Sequence, residues 1–252
     1  MITALSDNPP HIDQLCERLD LGKPSGTLSR VSGGFHHRMW RLNTRGGSFA
    51  IKHLADDLDM QNAATVKRIN ATEITAREFS EQGVPALYSL ANARQHLQLL
   101  DGVGYLVYPW TEATACNKNG IEKKHALTVA GILARIHRSD IRVPELQDEP
   151  GLPLTAQRVI DLVQLARQRN VRESQLLETR LDDLLEAVEL QATAMTVLQQ
   201  DQVVSHGDLD HKNVLWDEAG EPLLIDWESA RRLNPTCLLY TSPSPRDPLR
   251  YL

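Results

Sequence analysis

Several familiar signals are missing from this chain. It has only three cysteines in 252 residues, Cys16, Cys116 and Cys237, far apart and odd in number. They form no metal-binding or redox spacing, and they point to a reducing compartment, the cytoplasm. No apolar run approaches the roughly 20 residues that a membrane span requires, so no membrane partner is expected. The opening MITALSDNPPHIDQL has no basic stretch followed by an apolar core, so no secretory signal is expected either. Basic residues are outnumbered: 27 Lys and Arg against 33 Asp and Glu give a net charge of −6, which argues against nucleic acid as a partner. No internal repeat is visible. What is present is ordinary, 41% hydrophobic and 24% charged residues, enough for one large domain or two modest ones. Composition leaves the oligomeric state open.

Along the chain, apolar spacing predicts a helix over 11–20, with Ile12, Leu15, Cys16 and Leu19 on one face. Strands follow near 25–31, 37–44 and 48–54, joined by Gly33-Gly34 and Gly46-Gly47. A helix is expected over 62–82, ended by Gly83 and Pro85, then strands at 96–100 and 104–110. After Trp110 the character changes. Amphipathic helices are expected at 125–138, with Leu127, Ala130, Leu133, Ala134 and Ile136 inward, at 155–168, and in one long stretch over 172–200. Strands before residue 110 and helices after it predict an α+β fold in two lobes, 1–107 and 108–236. From Cys237 the text CLLYTSPSPRD looks like a translated sequencing-library adapter. The expectation is a non-native tail over 237–252 and a natural sequence cut near Thr236.

The stretch SHGDLDHKNVLWD, from Ser205, crowds Asp208, Asp210, Lys212 and Asn213 between apolar pairs. NVLW and PLLID flank DEAGE, which reads as a hairpin with a five-residue loop at 217–221. Opposed residues in an antiparallel pair have a constant sum, so Trp216 faces Pro222 and Asn213 faces Ile225. Asn213 and Asp226 then end at one tip of the hairpin, with Asp208 entering from the loop before it. Two carboxylates and an amide oxygen at one point suit a hard cation such as Mg2+; the plain alternative is a solvated turn with Asp and Asn caps.

HGDLDHKN followed by IDWE resembles the catalytic loop and metal aspartate of the aminoglycoside phosphotransferase and choline kinase family, small-molecule kinases with a protein-kinase-like fold. The resemblance runs from about residue 28 to 236. It implies an N-terminal antiparallel sheet with a helix, a mainly helical C-terminal lobe, and ATP and Mg2+ as cofactors. Asp208 would orient the substrate hydroxyl and take its proton late in transfer, and Asn213 and Asp226 would hold Mg2+. Lys52, ending the strand FAIK on the side of Ala50, would hold the α- and β-phosphates, steadied by Glu73, with Glu78 as runner-up. Gly33 and Gly34 would cover the phosphates, although they do not form GxGxxG and also suit a hairpin turn. Tyr108 and Trp110, in YPWT, would lie at the interlobe hinge beside adenine. His206 reads as a brace for the loop, while Asp210 is either a contact for a cationic substrate or a solvated side chain.

The resemblance implies transfer of phosphate to a hydroxyl of a small, cationic molecule, such as an aminoglycoside or a basic peptide antibiotic. A metabolite kinase for choline, ethanolamine or thiamine and a non-catalytic nucleotide-binding module are the alternatives. A two-metal phosphohydrolase would need more His and Asp ligands than the sequence offers.

Overall fold

The computed structural model describes residues 11–31, 37–117, 120–146 and 154–236. Gly33, Gly34 and the tail 237–252 lie outside the described residues. In chain order the elements are α1 (Ile12–Arg18), β1 (Ser29–Val31), β2 (Arg38–Thr44), β3 (Gly47–His53), α2 (Ala63–Glu81), β4 (Gln98–Leu100), β5 (Val103–Pro109), β6 (Thr114–Ala115) and α3 (Lys123–His137). They continue with α4 (Ala156–Gln168), α5 (Ser174–Thr179), α6 (Leu181–Leu198), β7 (Val203–Ser205), β8 (Val214–Trp216), β9 (Pro222–Leu224) and β10 (Arg231–Leu233). This is the α+β class expected. By packing, the chain falls into two compact units, Met1–Gln147 with His206–Ala230, and Asp148–Ser205 with Arg231–Leu252. These limits are drawn differently from 1–107 and 108–236, because the loop and hairpin after residue 205 pack with α2 and the segment after it.

In the first unit, five antiparallel strands lie in the order β1-β2-β3-β5-β4. The alternation of β3 sorts its side chains between two cores. Phe49 and Ile51 join Leu15, Leu21, Leu42, Tyr105 and Val107 on the α1 face. Ala50 joins Leu54, Ile69, Leu106 and Tyr108 on the α2 face. Lys52, opposite Leu106 in the register, follows Ala50 to that second face and is buried there. Helix α2 starts at Asn62, whose side chain accepts the Ala64 N–H at 2.9 Å, satisfying one of the open donors of the first turn.

The hairpin has the expected register, Trp216 opposite Pro222 and Val214 opposite Leu224. The Ile225 N–H then donates to the Asn213 carbonyl at 3.0 Å, extending the pairing to the tip. Two features were not anticipated. The short strand β6 pairs with β8 on the side away from β9. Leu224 also docks on the segment after α2, its N–H on the Pro85 carbonyl at 2.7 Å and its carbonyl on the Leu87 N–H at 2.8 Å. Trp227 is fully buried and stacks on Phe79 of α2 with ring centroids 5.3 Å apart. This fixes the end of the hairpin to the helix.

The helix α3 buries only part of the stripe expected, together with Ile132, which was not expected inward. Ile132 and Ile136 are buried, Leu133 is half-buried, and Leu127, Ala130 and Ala134 are exposed. The helix has one narrow packed face, and alanine gives little reason to choose a side. In the second unit, Val159, Val163 and Val188 close a small core with Leu177, Leu181, Leu184 and Leu185. The long helix expected over 172–200 is broken at Arg180 into α5 and α6. Strand β7 pairs with β10. Among the described residues no helix is long and apolar enough to cross a membrane.

Candidate active site

The loop from His206 to Asn213 is built around one buried imidazole. His206 Nε2 donates to the Ile225 carbonyl at 2.9 Å, and Nδ1 accepts the Asp208 N–H at 3.4 Å. Burial pushes its pKa below the ordinary histidine value, against the Ile225 bond and the nearby carboxylates. The ring is therefore a neutral clamp between loop and hairpin. Gly207 has φ +82° and lies under the Ser229 backbone. Asp208 is half exposed, and Asn213, buried, donates Nδ2 to the Asp208 carbonyl at 2.8 Å and to Asp208 Oδ2 at 3.1 Å. Asp210 caps the 3-10 turn His211–Asn213, accepting the His211 N–H at 2.7 Å and the His211 ring at 2.6 Å. Burial alone would raise the Asp210 pKa, but the His211 bonds outweigh it and lower the value. Of the two readings of Asp210, the geometry favours neither a substrate contact nor plain solvation; it is a cap. Lys212 Nζ stands 3.7 Å from Asp208 Oδ2 at the surface.

Asp226 follows the hairpin with φ 63° and ψ 60°, left-handed backbone that few non-glycine residues adopt and that concentrates at functional sites. Its Oδ1 receives Lys52 Nζ at 2.7 Å, and Glu228 Oε2 receives the same ammonium at 2.9 Å. Burial would favour a neutral Lys52, but the Asp226 and Glu228 carboxylates prevail and raise its pKa, so the ammonium stays charged. Glu228 is held well below the ordinary carboxylate range, first by a hydrogen bond from His37 and then by Lys52, against its partial burial.

The expected pairing of Lys52 with Glu73 is not formed. Glu73 is buried, and both its oxygens are engaged elsewhere, Oε2 by the Ser89 N–H and Oε1 by the Tyr108 hydroxyl, each at 2.7 Å. Burial raises its pKa, with those two bonds and Lys52 opposing. The physical reason is competition: Asp226 and Glu228 reach Nζ at bonding distance, while the Ser89 N–H and the Tyr108 hydroxyl take both Glu73 oxygens. Glu78 pairs with Arg77 at 2.9 Å instead. Tyr108 lies within β5 opposite Ala50, and its hydroxyl is bound to Glu73. The Trp110 N–H is spent on the Ser48 carbonyl at 3.0 Å, so that donor is not available to a base, and its indole lies 4.5 Å under the Arg41 guanidinium.

The structure thus brings Lys52 to Asp226, Asn213 to Asp208, and the Asn213 backbone to Ile225 beside Asp226. It forms no bond between Glu73 and Lys52, although the lysine's charge still acts on the glutamate. Glu228 and His37 were not anticipated; the only sequence signal was the acid two places after Asp226 in IDWE.

A lysine from an antiparallel sheet paired with an aspartate at a hairpin tip, beside an HGD loop, is the arrangement of a kinase-like phosphotransferase. The chain belongs to the phosphotransferase enzyme family, whose model matches residues 27–237. No curated protein sequence matches it. Among solved structures, a spectinomycin phosphotransferase bound to ADP and spectinomycin aligns over 95% of this chain and 73% of its own, with 16% identity and a TM-score of 0.59. An aminoglycoside phosphotransferase from Alicyclobacillus acidocaldarius aligns over 95% and 72%, with 20% identity and a TM-score of 0.58. One bound to ADP and hygromycin B aligns over 92% and 75%, with 14% identity and a TM-score of 0.59. At these identities the likeness supports the fold.

Proposed function

We propose that this phosphotransferase moves the γ-phosphoryl group of ATP to a hydroxyl of a small, cationic molecule, an aminoglycoside or a basic peptide antibiotic. Choline, ethanolamine or thiamine is the second acceptor class. Residues 1–107 act as the nucleotide lobe, and 108–236 carry the acceptor-side loop. The observation that carries the reading is the 2.7 Å contact between Lys52 Nζ and Asp226 Oδ1, which sets a buried ammonium beside the residue that would hold a metal. Phosphoryl transfer asks a protein mainly for aligned groups and fixed charge.

Lys52 would bind the α- and β-phosphates. Asp208, half exposed and held by Asn213, would orient the acceptor hydroxyl and accept its proton. The donor set also suits Mg2+. Among the described residues no three His, Cys, Asp or Glu side chains gather as a metal cage. Asn213 has spent Nδ2 on Asp208, which leaves its amide oxygen for a cation. One carboxylate, one amide oxygen and the phosphates themselves are the usual ligands of this ion. Bound there, Mg2+ would neutralise charge on the transferring phosphate. The acidic charge balance and Asp208 at the loop favour a cationic acceptor.

A coupled assay of ATP consumption across aminoglycosides, basic peptides and amino alcohols tests this. Turnover with at least one cationic hydroxyl compound, abolished in Lys52→Ala, is the expected result. Nucleotide binding without turnover on any member would favour the non-catalytic module.

A further inference from the structure

We infer that Glu228, oriented by His37, is the positioning residue for Lys52, in the place expected of Glu73. The inference rests on the phosphotransfer reading and adds a residue to it.

Lys52 Nζ has two carboxylate partners, Asp226 at 2.7 Å and Glu228 at 2.9 Å. They are not equivalent. Asp226 is the residue placed to hold a cation, and a carboxylate oxygen given to a divalent ion is no longer a full partner for an ammonium. Glu228 then remains as the acid that keeps Nζ in place. Glu73 does not fill this role, because the Ser89 N–H and the Tyr108 hydroxyl hold its two oxygens.

Glu228 is itself aimed. His37 Nδ1 accepts the Ala55 N–H at 3.0 Å, which leaves Nε2 as the donor, and Nε2 meets Glu228 Oε2 at 3.0 Å. The tautomer is thus set by a backbone amide, and the ring can only donate toward the carboxylate. The same oxygen, Oε2, takes both His37 and Lys52. The backbone is tied as well: Arg68 of α2 donates to the Glu228 carbonyl at 3.3 Å, and the preceding Trp227 is buried against Phe79. Glu228 and Glu73 both line a cavity of about 200 Å³ with His37, Arg68, Ile69 and Leu106. The two acids therefore line one cavity, and of the two only Glu228 bonds to the lysine.

The test compares Glu228→Ala, Glu228→Asp, Glu73→Gln and Lys52→Ala with the wild-type chain. Two readouts are used: the Kd for ADP measured by calorimetry in saturating Mg2+, and the split between KM for ATP and kcat. Glu228 is partly exposed, so its variants are expected to fold, and circular dichroism checks that they do. The expected result is a rise of at least tenfold in both Kd and KM for Glu228→Ala, partial rescue by Asp, and a smaller change in Glu73→Gln. A Glu228→Ala protein that is folded and binds ADP like wild type overturns the inference, as does a Glu73→Gln effect equal to or larger than that of Glu228→Ala. Wild-type ADP binding that ignores Lys52→Ala would instead sink the phosphotransfer reading, and this inference with it.

Discussion

Gly207 offers a clean perturbation, because a second glycine in the same unit supplies its control. Gly207 has φ +82° and Gly220 has φ +81°. An alanine at either position meets the same left-handed penalty, on the order of 1–2 kcal/mol. Their surroundings differ. A Cβ on Gly220 would meet nothing within 4 Å, whereas one on Gly207 would overlap the Ser229 carbonyl oxygen and lie 2.7 Å from the carbonyl carbon. That neighbour is backbone and cannot swing aside, so the turn carrying Trp227 and Glu228 has to shift. Forced overpacking of this kind adds roughly 1–3 kcal/mol. Gly207→Ala should then lose roughly 2–5 kcal/mol in total, against about 1–2 kcal/mol for Gly220→Ala. Urea denaturation followed by circular dichroism measures both. Activity gives a second reading, since moving that turn moves the acids that hold Lys52; kcat/KM should fall at least tenfold in Gly207→Ala and much less in Gly220→Ala. Equal losses in the two variants would show that the close approach of loop and turn does not matter.

Tyr108→Phe removes the hydroxyl that donates to Glu73 Oε1 at 2.7 Å and leaves a buried acceptor without its donor, at a cost of about 1–3 kcal/mol; a melting temperature unchanged from wild type would contradict this. Glu73→Gln keeps both contacts, since the amide oxygen can accept the Ser89 N–H and the amide nitrogen can donate to Tyr108. Burial raises the Glu73 pKa above 4.5 in the folded protein, so the stability its protonation confers is present below about pH 4.5 and is lost as pH rises through the folded value. The glutamine variant should therefore gain on wild type in melts run from pH 4.5 to pH 8, and a gain that grows toward low pH would refute the assignment.

Much of this was legible in the sequence where local rules act. The constant-sum argument placed Trp216 against Pro222 because hairpin register is set by a short loop. The side on which Lys52 emerges followed from strand alternation with Ala50. Less was legible where distant segments decide. Lys52 meets Asp226 and Glu228 across 174 and 176 residues of chain, and no local spacing says which of several acids wins. Glu73 sat on the expected helix, yet Tyr108 and Ser89 outcompeted the lysine for its oxygens. In α3 the expected inward face included Ala130 and Ala134, whose small side chains give weak reason to choose a side; the packed residues are Ile132 and Ile136.

Under the proposed function, Asp208 aligns the acceptor and takes its proton. Asp208→Asn keeps the shape and leaves an oxygen to accept from Asn213, so the loop should hold. Single-turnover phosphorylation of the best acceptor, measured beside ADP affinity, isolates the chemical step. The expected result is a rate lowered by about 10² or more with nucleotide affinity preserved; a rate within a few-fold of wild type would contradict the central role given to Asp208.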